Sequence, residues 1–115
     1  MPVVFVIAPD WTMRTAVRAE LREIGIDALG MDSEVDAILA MASGGLPNVV
    51  VLEATAELLG YPRIQNLVQR VPTVLIASRT VTLSLPDTAA VFYRPVLIAE
   101  IVACVSELLA RNQAT

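Results

Sequence analysis

The sequence predicts an α/β fold, a doubly wound sheet of five parallel strands. Apolar runs of strand length alternate five times with stretches of helical periodicity. The links between them are short, so each helix must return the chain over a face of the sheet, which makes the strands parallel. Hydrophobic residues make up 56% of the 115 residues but aromatics only 4%. That is an aliphatic core of Val, Ile, Leu and Ala layers, as in a parallel sheet buried on both faces.

The first strand is the run Val3-Val4-Phe5-Val6-Ile7. Met13, Val17, Leu21 and Ile24 then recur at helical spacing, while Arg14, Arg18, Glu20, Arg22 and Glu23 take the opposite side. Asp10 is suited to the N-cap of this helix and Gly25 to its C-terminal stop. A weak second strand over residues 26–31 has the short mixed pattern of an edge. Asp32-Ser33 can cap a second helix with Val35, Ile38, Leu39 and Ala42 as its apolar stripe, ended by Gly44-Gly45. The third strand covers residues 48–52, and a loop is expected over 54–61. Pro62 suits the first position of a helix that uses Ile64, Leu67 and Val68. The fourth strand is residues 73–77. Residues 78–88 hold the β-branched Thr80, Val81 and Thr82 and then Pro86, which predicts one helical turn or an irregular loop, a shortened fourth helix in either case. The fifth strand, residues 90–93, passes through Pro95 into the clearest helix, with Ile98, Ile101, Val102, Val105, Leu108 and Leu109 on one stripe. Right-handed crossovers and five strands favour the flavodoxin-like order 2-1-3-4-5. Residues 1–115 read as one domain, long enough to bury a single core, and the polar end 111–115 as a frayed tail or the start of a linker.

Composition removes several kinds of chemistry. The net charge is −4, with a pI near 4.6, and the eight cations are scattered arginines, which argues against nucleic-acid binding. The chain has neither His nor Lys, so imidazole bases, His metal ligands, Schiff-base lysines and a P-loop lysine are excluded together. No cofactor or metal is expected. Cys104 sits beside Val102 and Val105 and reads as a small buried hydrophobe. The apolar run over residues 2–9 is far shorter than the roughly 18 residues that span a membrane, and nothing basic precedes it as in a secretory signal. A cytoplasmic protein without membrane partners is the expectation.

In a parallel sheet the C-terminal ends of the strands border the crevice where ligands and chemistry sit. Strand three, Asn48-Val49-Val50-Val51-Leu52-Glu53, ends there in a carboxylate. Ala8, Pro9 and Asp10 follow strand one, Ala77 and Ser78 end strand four, and Arg94 follows strand five, so all seven residues should converge. This arrangement, over the whole chain, resembles the receiver (CheY-like) domain of two-component response regulators. The features that carry the resemblance are Val-Val-Val-Leu-Glu53, Val71-Pro72-Thr73-Val74-Leu75-Ile76-Ala77-Ser78, Tyr93-Arg94-Pro95-Val96, and Thr12-Met13-Arg14 opening the first helix.

The resemblance implies that two acids after strand one would hold Mg²⁺, an Asp ending strand three would accept phosphate, and a Ser or Thr and a Lys would end strands four and five. Here those positions match Ala8-Pro9, Glu53, Ala77 with Ser78 beside it, and Arg94. Ala and Pro supply no side-chain oxygen for a hard cation, and without the metal the charge of an incoming phosphoryl group is not neutralised. The intervals from Glu53 to Pro72 and from Ala77 to Arg94 are also several residues shorter than the family's. The reading is a degenerate phosphorylation site in a pseudo-receiver that binds a protein partner, or a second copy of itself, without a phosphate switch. Glu53 is then either a built-in partial mimic of aspartyl phosphate or a solvated loop carboxylate. Arg94 is either its bidentate partner or a surface Arg before a Pro. Trp11 either stacks on a partner at the crevice mouth or packs over the first helix.

Two other functions compete. Asp10-Trp11-Thr12 resembles the latter half of the haloacid-dehalogenase signature, which would make a small hydrolase or phosphotransferase using Asp10 and Glu53, but the nucleophile's position falls on Ala8. The chain is alternatively the regulatory receiver of a longer response regulator. The expected interaction face is residues 78–88, the fifth strand and the start of the last helix. Val81, Leu83, Leu85, Phe92 and Leu97 are its apolar side chains, with an inward fold of these leucines as the alternative.

Overall fold

Val, Ile and Leu runs bounded by Pro, Gly and Asn form every central strand, because branched side chains pack well on a pleated surface buried on both sides. The computed structural model describes residues 2–79 and 85–113. Its strands are β1 (Val3–Ile7), β2 (Asp27–Met31), β3 (Val49–Glu53), β4 (Thr73–Ala77) and β5 (Ala90–Tyr93). All pair in parallel in the order β2-β1-β3-β4-β5, the expected flavodoxin-like topology. The helices are α1 (Trp11–Glu23), α2 (Glu34–Gly44), α3 (Ala56–Gly60), α4 (Pro62–Arg70) and α5 (Ile98–Gln113).

Alternation along the strands splits the core into two layers. Val4, Val6, Val49, Val51, Val74 and Ile76 face α1 and α5, where Met13, Val17, Leu21, Ile101, Val105 and Leu109 meet them. Phe5, Ile7, Val50, Leu52 and Leu75 face the other way, onto Ala37 of α2, Leu58 of α3 and Ile64, Leu67 and Val68 of α4. Every residue of β4 is buried, whereas β5, an edge, alternates between half-buried and exposed. Among the described residues no helix is long and apolar enough to cross a membrane.

Several expectations require correction. Residues 54–61 are not a loop. Thr55 accepts a hydrogen bond from the Leu58 amide at 3.1 Å and caps the five-residue α3, too short to print a helical period in the sequence. The inward stripe of α2 is Ala37, Ala40 and Met41, not Val35, Ile38, Leu39 and Ala42; Val35 and Leu39 are each 62% exposed. Ile24 is exposed as the cap of α1, and the buried residue is Ile26, beyond the left-handed turn at Gly25 (φ 84°).

The expected interaction face is divided. Val81 and Leu83 lie outside the described residues, within the span 80–84. The described residues on either side, 78–79 and 85–89, are not helical. Leu85 and Phe92 are both half-buried, Leu85 against the α4 layer and Phe92 against the α5 layer. The exposed residues of β5 are Val91 and Tyr93, of opposite parity to Phe92, and Leu97 is 65% exposed.

Candidate functional site

Strand parity decides which side chains meet at the C-terminal edge of the sheet. Val49 and Val51 face α1 and α5, and Glu53 is next in that row. Ala90 and Phe92 face the same way, and Arg94 is next in theirs. Asp10 arrives from the same side, because it is the residue that starts α1. Its carboxylate accepts from the Met13 amide at 3.3 Å, an N-cap that satisfies one of the free amides of the helix end.

Three charged groups therefore share one locus. Arg94 Nη1 donates to Asp10 Oδ2 at 3.1 Å, and Arg94 Nη2 lies 3.6 Å from Glu53 Oε2. Glu53 Oε1 accepts from the Asp10 backbone amide at 2.9 Å, tying the end of β3 to the start of α1. Glu53 is the most enclosed of the three, its side chain 16% exposed against about a third for Asp10 and Arg94. The Asp10 carboxyl titrates below its ordinary value of 3.8, because the Met13 amide and then the Arg94 guanidinium stabilise its charged form more than partial burial opposes it. Arg94 is joined to the sheet through its own amide, which donates to the Ala77 carbonyl at 2.9 Å, and a cis peptide bond leads on to Pro95. Beside this locus the Arg79 guanidinium lies 4.8 Å from the centre of the Tyr93 ring.

Of the seven residues expected to converge, the structure brings together Asp10, Glu53 and Arg94. Ala8 is wholly buried beneath them in the α1/α5 layer, its carbonyl accepting from Arg14 Nη1 at 2.6 Å. Ala77 turns into the opposite layer, so Ser78, half-buried, follows it in the row that faces the crevice. Pro9 is exposed and borders the α2 side. Arg94 lies closer to Asp10 than to Glu53. The sequence points to Asp10 as a helix cap, as one of the converging strand-end residues and as a candidate acid beside Glu53, but not as a partner of Arg94; its position opposite a cation-bearing strand end was the available signal. Trp11, 67% exposed, does not pack over α1.

The residues do not fit a bound Mg²⁺. An octahedral site needs several free hard oxygens. The two carboxylates here already engage one guanidinium and two backbone amides, and the preceding Ala8 and Pro9 supply no side-chain oxygen. The locus also holds no imidazole or thiol. It can orient the strand ends and present a hydrogen-bonded surface in which two carboxylates face one guanidinium.

The sequence matches no family model and no curated protein. The fold, by contrast, matches many solved structures. The receiver domain of a Francisella response regulator superposes with a TM-score of 0.75 at 20% identity, covering 97% of this chain and 99% of that one. The N-terminal domain of a three-domain response regulator/sensory box/GGDEF protein from Carboxydothermus hydrogenoformans gives 0.74 at 11% identity, covering 97% of each chain. A receiver protein from Burkholderia phymatum gives 0.67 at 21% identity, covering 96% of each.

Proposed function

We propose that this chain, whose fold is that of response-regulator receiver domains, is a phosphorylation-independent pseudo-receiver: a signalling module that binds another protein and catalyses nothing. The observation that carries this reading is the Asp10–Arg94–Glu53 cluster. A receiver that accepts phosphate must leave a carboxylate free for attack and hold a metal beside it. In this chain the strand-three carboxylate receives a backbone amide on one oxygen and faces a guanidinium with the other. An internal, permanent cation thus stands beside a permanent anion, and neither depends on a phosphoryl donor.

A hydrolase or phosphotransferase using Asp10 and Glu53 is disfavoured by the same contacts. Asp10 is held ionised by its cap and by Arg94, so it is a poor general acid, and no nucleophile stands at Ala8. Incubation of the purified chain with acetyl phosphate and Mg²⁺, followed by intact mass spectrometry, tests the reading. The expected result is an unchanged mass. A phosphoryl group on Glu53 or Asp10 overturns it.

A further inference from the structure

Helix α2 is apolar on two sides. Ala37, Ala40 and Met41 pack inward, while Val35, Leu39 and Ala42 form an outward stripe at helical spacing. A surface helix ordinarily sets polar residues opposite its buried stripe, so this outward side lacks a cover. Leu46, 44% exposed, extends it beyond the end of the helix.

At the other end of the stripe Val35 is also a wall of a pocket of about 240 Å³, floored by Leu58 and bordered by the carboxylates of Asp32, Glu34 and Glu57. None of these three acids lies within ion-pair distance of an arginine among the described residues. Glu34 Oε2 is a buried atom that has no hydrogen-bond partner among the described residues, a costly state for a carboxylate oxygen. The Tyr61 hydroxyl donates to Glu57 Oε1 at 3.0 Å, and its proton is held more tightly than usual, through that bond first and then through the charges of Glu57 and Glu34. Attraction to the N-terminal dipole of α2 accounts for acids at Glu34 and Asp36. The first turn of the short α3 accounts for Glu57 in the same way, but neither helix end satisfies the unpartnered oxygen. Among the described residues no three acids are placed to hold a metal ion, so the complement of this pocket is a cation at the end of a side chain.

We propose that this pocket and the outward stripe of α2 form one docking surface for a segment of a partner protein, which inserts an Arg or Lys side chain between Glu34 and Glu57 and lays flanking aliphatic side chains on Val35 and Leu39. The proposal rests on the protein-binding reading above and names the surface that performs it. Charge selects the partner, because the pocket is acidic and lacks an internal cation; the stripe supplies apolar area beside it.

Fluorescence-polarisation titrations of the full chain test this, with short labelled peptide pools that fix a central Arg, Lys, Gln or Glu and carry Leu, Ile or Val three and four positions to either side. The Arg and Lys pools should bind about tenfold or more tightly than the Gln and Glu pools. Glu34→Gln, the milder Glu57→Gln, and Leu39→Ser should each weaken the Arg pool several-fold, whereas Glu23→Gln and Leu97→Ser should leave it unchanged. Absence of binding by any pool, or binding without preference for a central cation, overturns the proposal. So does binding lost in Leu97→Ser but kept in Glu57→Gln; that outcome leaves the protein-binding reading standing with its surface elsewhere. A wild-type dimer in sedimentation that Leu39→Ser dissolves gives the stripe to a second copy, and heat of Ca²⁺ or Mg²⁺ binding abolished by Glu57→Gln gives the pocket to a free ion; either overturns it.

Discussion

Arg94 faces two carboxylates, and its contribution is set by how much water each pair keeps. Glu53 is the more enclosed partner, but its contact is the longer, 3.6 Å against 3.1 Å to Asp10. With a third of the arginine in solvent, a double-mutant cycle of Arg94→Ala with Glu53→Gln should give a coupling of about 0.5–1 kcal/mol, measured by urea unfolding. No coupling would mean the contact is incidental. Acid titration reports on Asp10. Its carboxyl is depressed below 3.8 in the folded chain, so the unfolded chain takes up this proton first as pH falls. The stability it contributes is therefore full above about 3.8 and is lost as pH drops through the folded value. Asp10→Asn should flatten that part of the stability curve below pH 4 and leave neutral pH affected only through the weakened cap and the lost ion pair.

Helices α4 and α2 bury their large apolar residues to very different extents. In α4 the predicted residues Ile64, Leu67 and Val68 are the buried ones, and Leu67→Ala should cost about 2–5 kcal/mol by chemical denaturation. In α2 the larger aliphatic residues point outward, and the sheet is met by Ala37, Ala40 and Met41. Leu39→Ser should therefore leave the melting temperature within a degree or two. A large fall would show that Leu39 is core and would remove the outward stripe. The contrast arises because α2 turns Ala37, Ala40 and Met41 inward, so sequence periodicity weighted toward Val, Ile and Leu selects the wrong side.

Across the whole molecule, cover is uneven around the edge strand β5. Its α5 side is covered, with Phe92 and Ala90 packed there, while Val91 (37%) and Tyr93 (41%) keep exposed surface on the other side. Phe92→Ser should lower stability by about 2–4 kcal/mol, the loss of a large ring from the core, and Val91→Ser by clearly less. Equal losses in thermal melts would mean that both sides of β5 are covered. This parity also locates the charged cluster, since it places Glu53 and Arg94 on the face where α1 begins.

By itself the sequence determined the fold class, the five strands, their order and the strand-end positions of Asp10, Glu53 and Arg94. Strand-length aliphatic runs, Asp10 and Ser33 caps and Pro62 at a helix start are local signals that survive into the tertiary structure, because each acts over only a few residues. Only the tertiary structure decided which face of α2 is buried, that Ala77 faces away from the crevice, that residues 56–60 are helical, and that Arg94 reaches Asp10 as well as Glu53. These depend on the distance between elements and on the parity of each strand end. A sequence records hydrophobicity along the chain, but which of two apolar stripes is buried depends on the space that the sheet and the neighbouring helices leave for it.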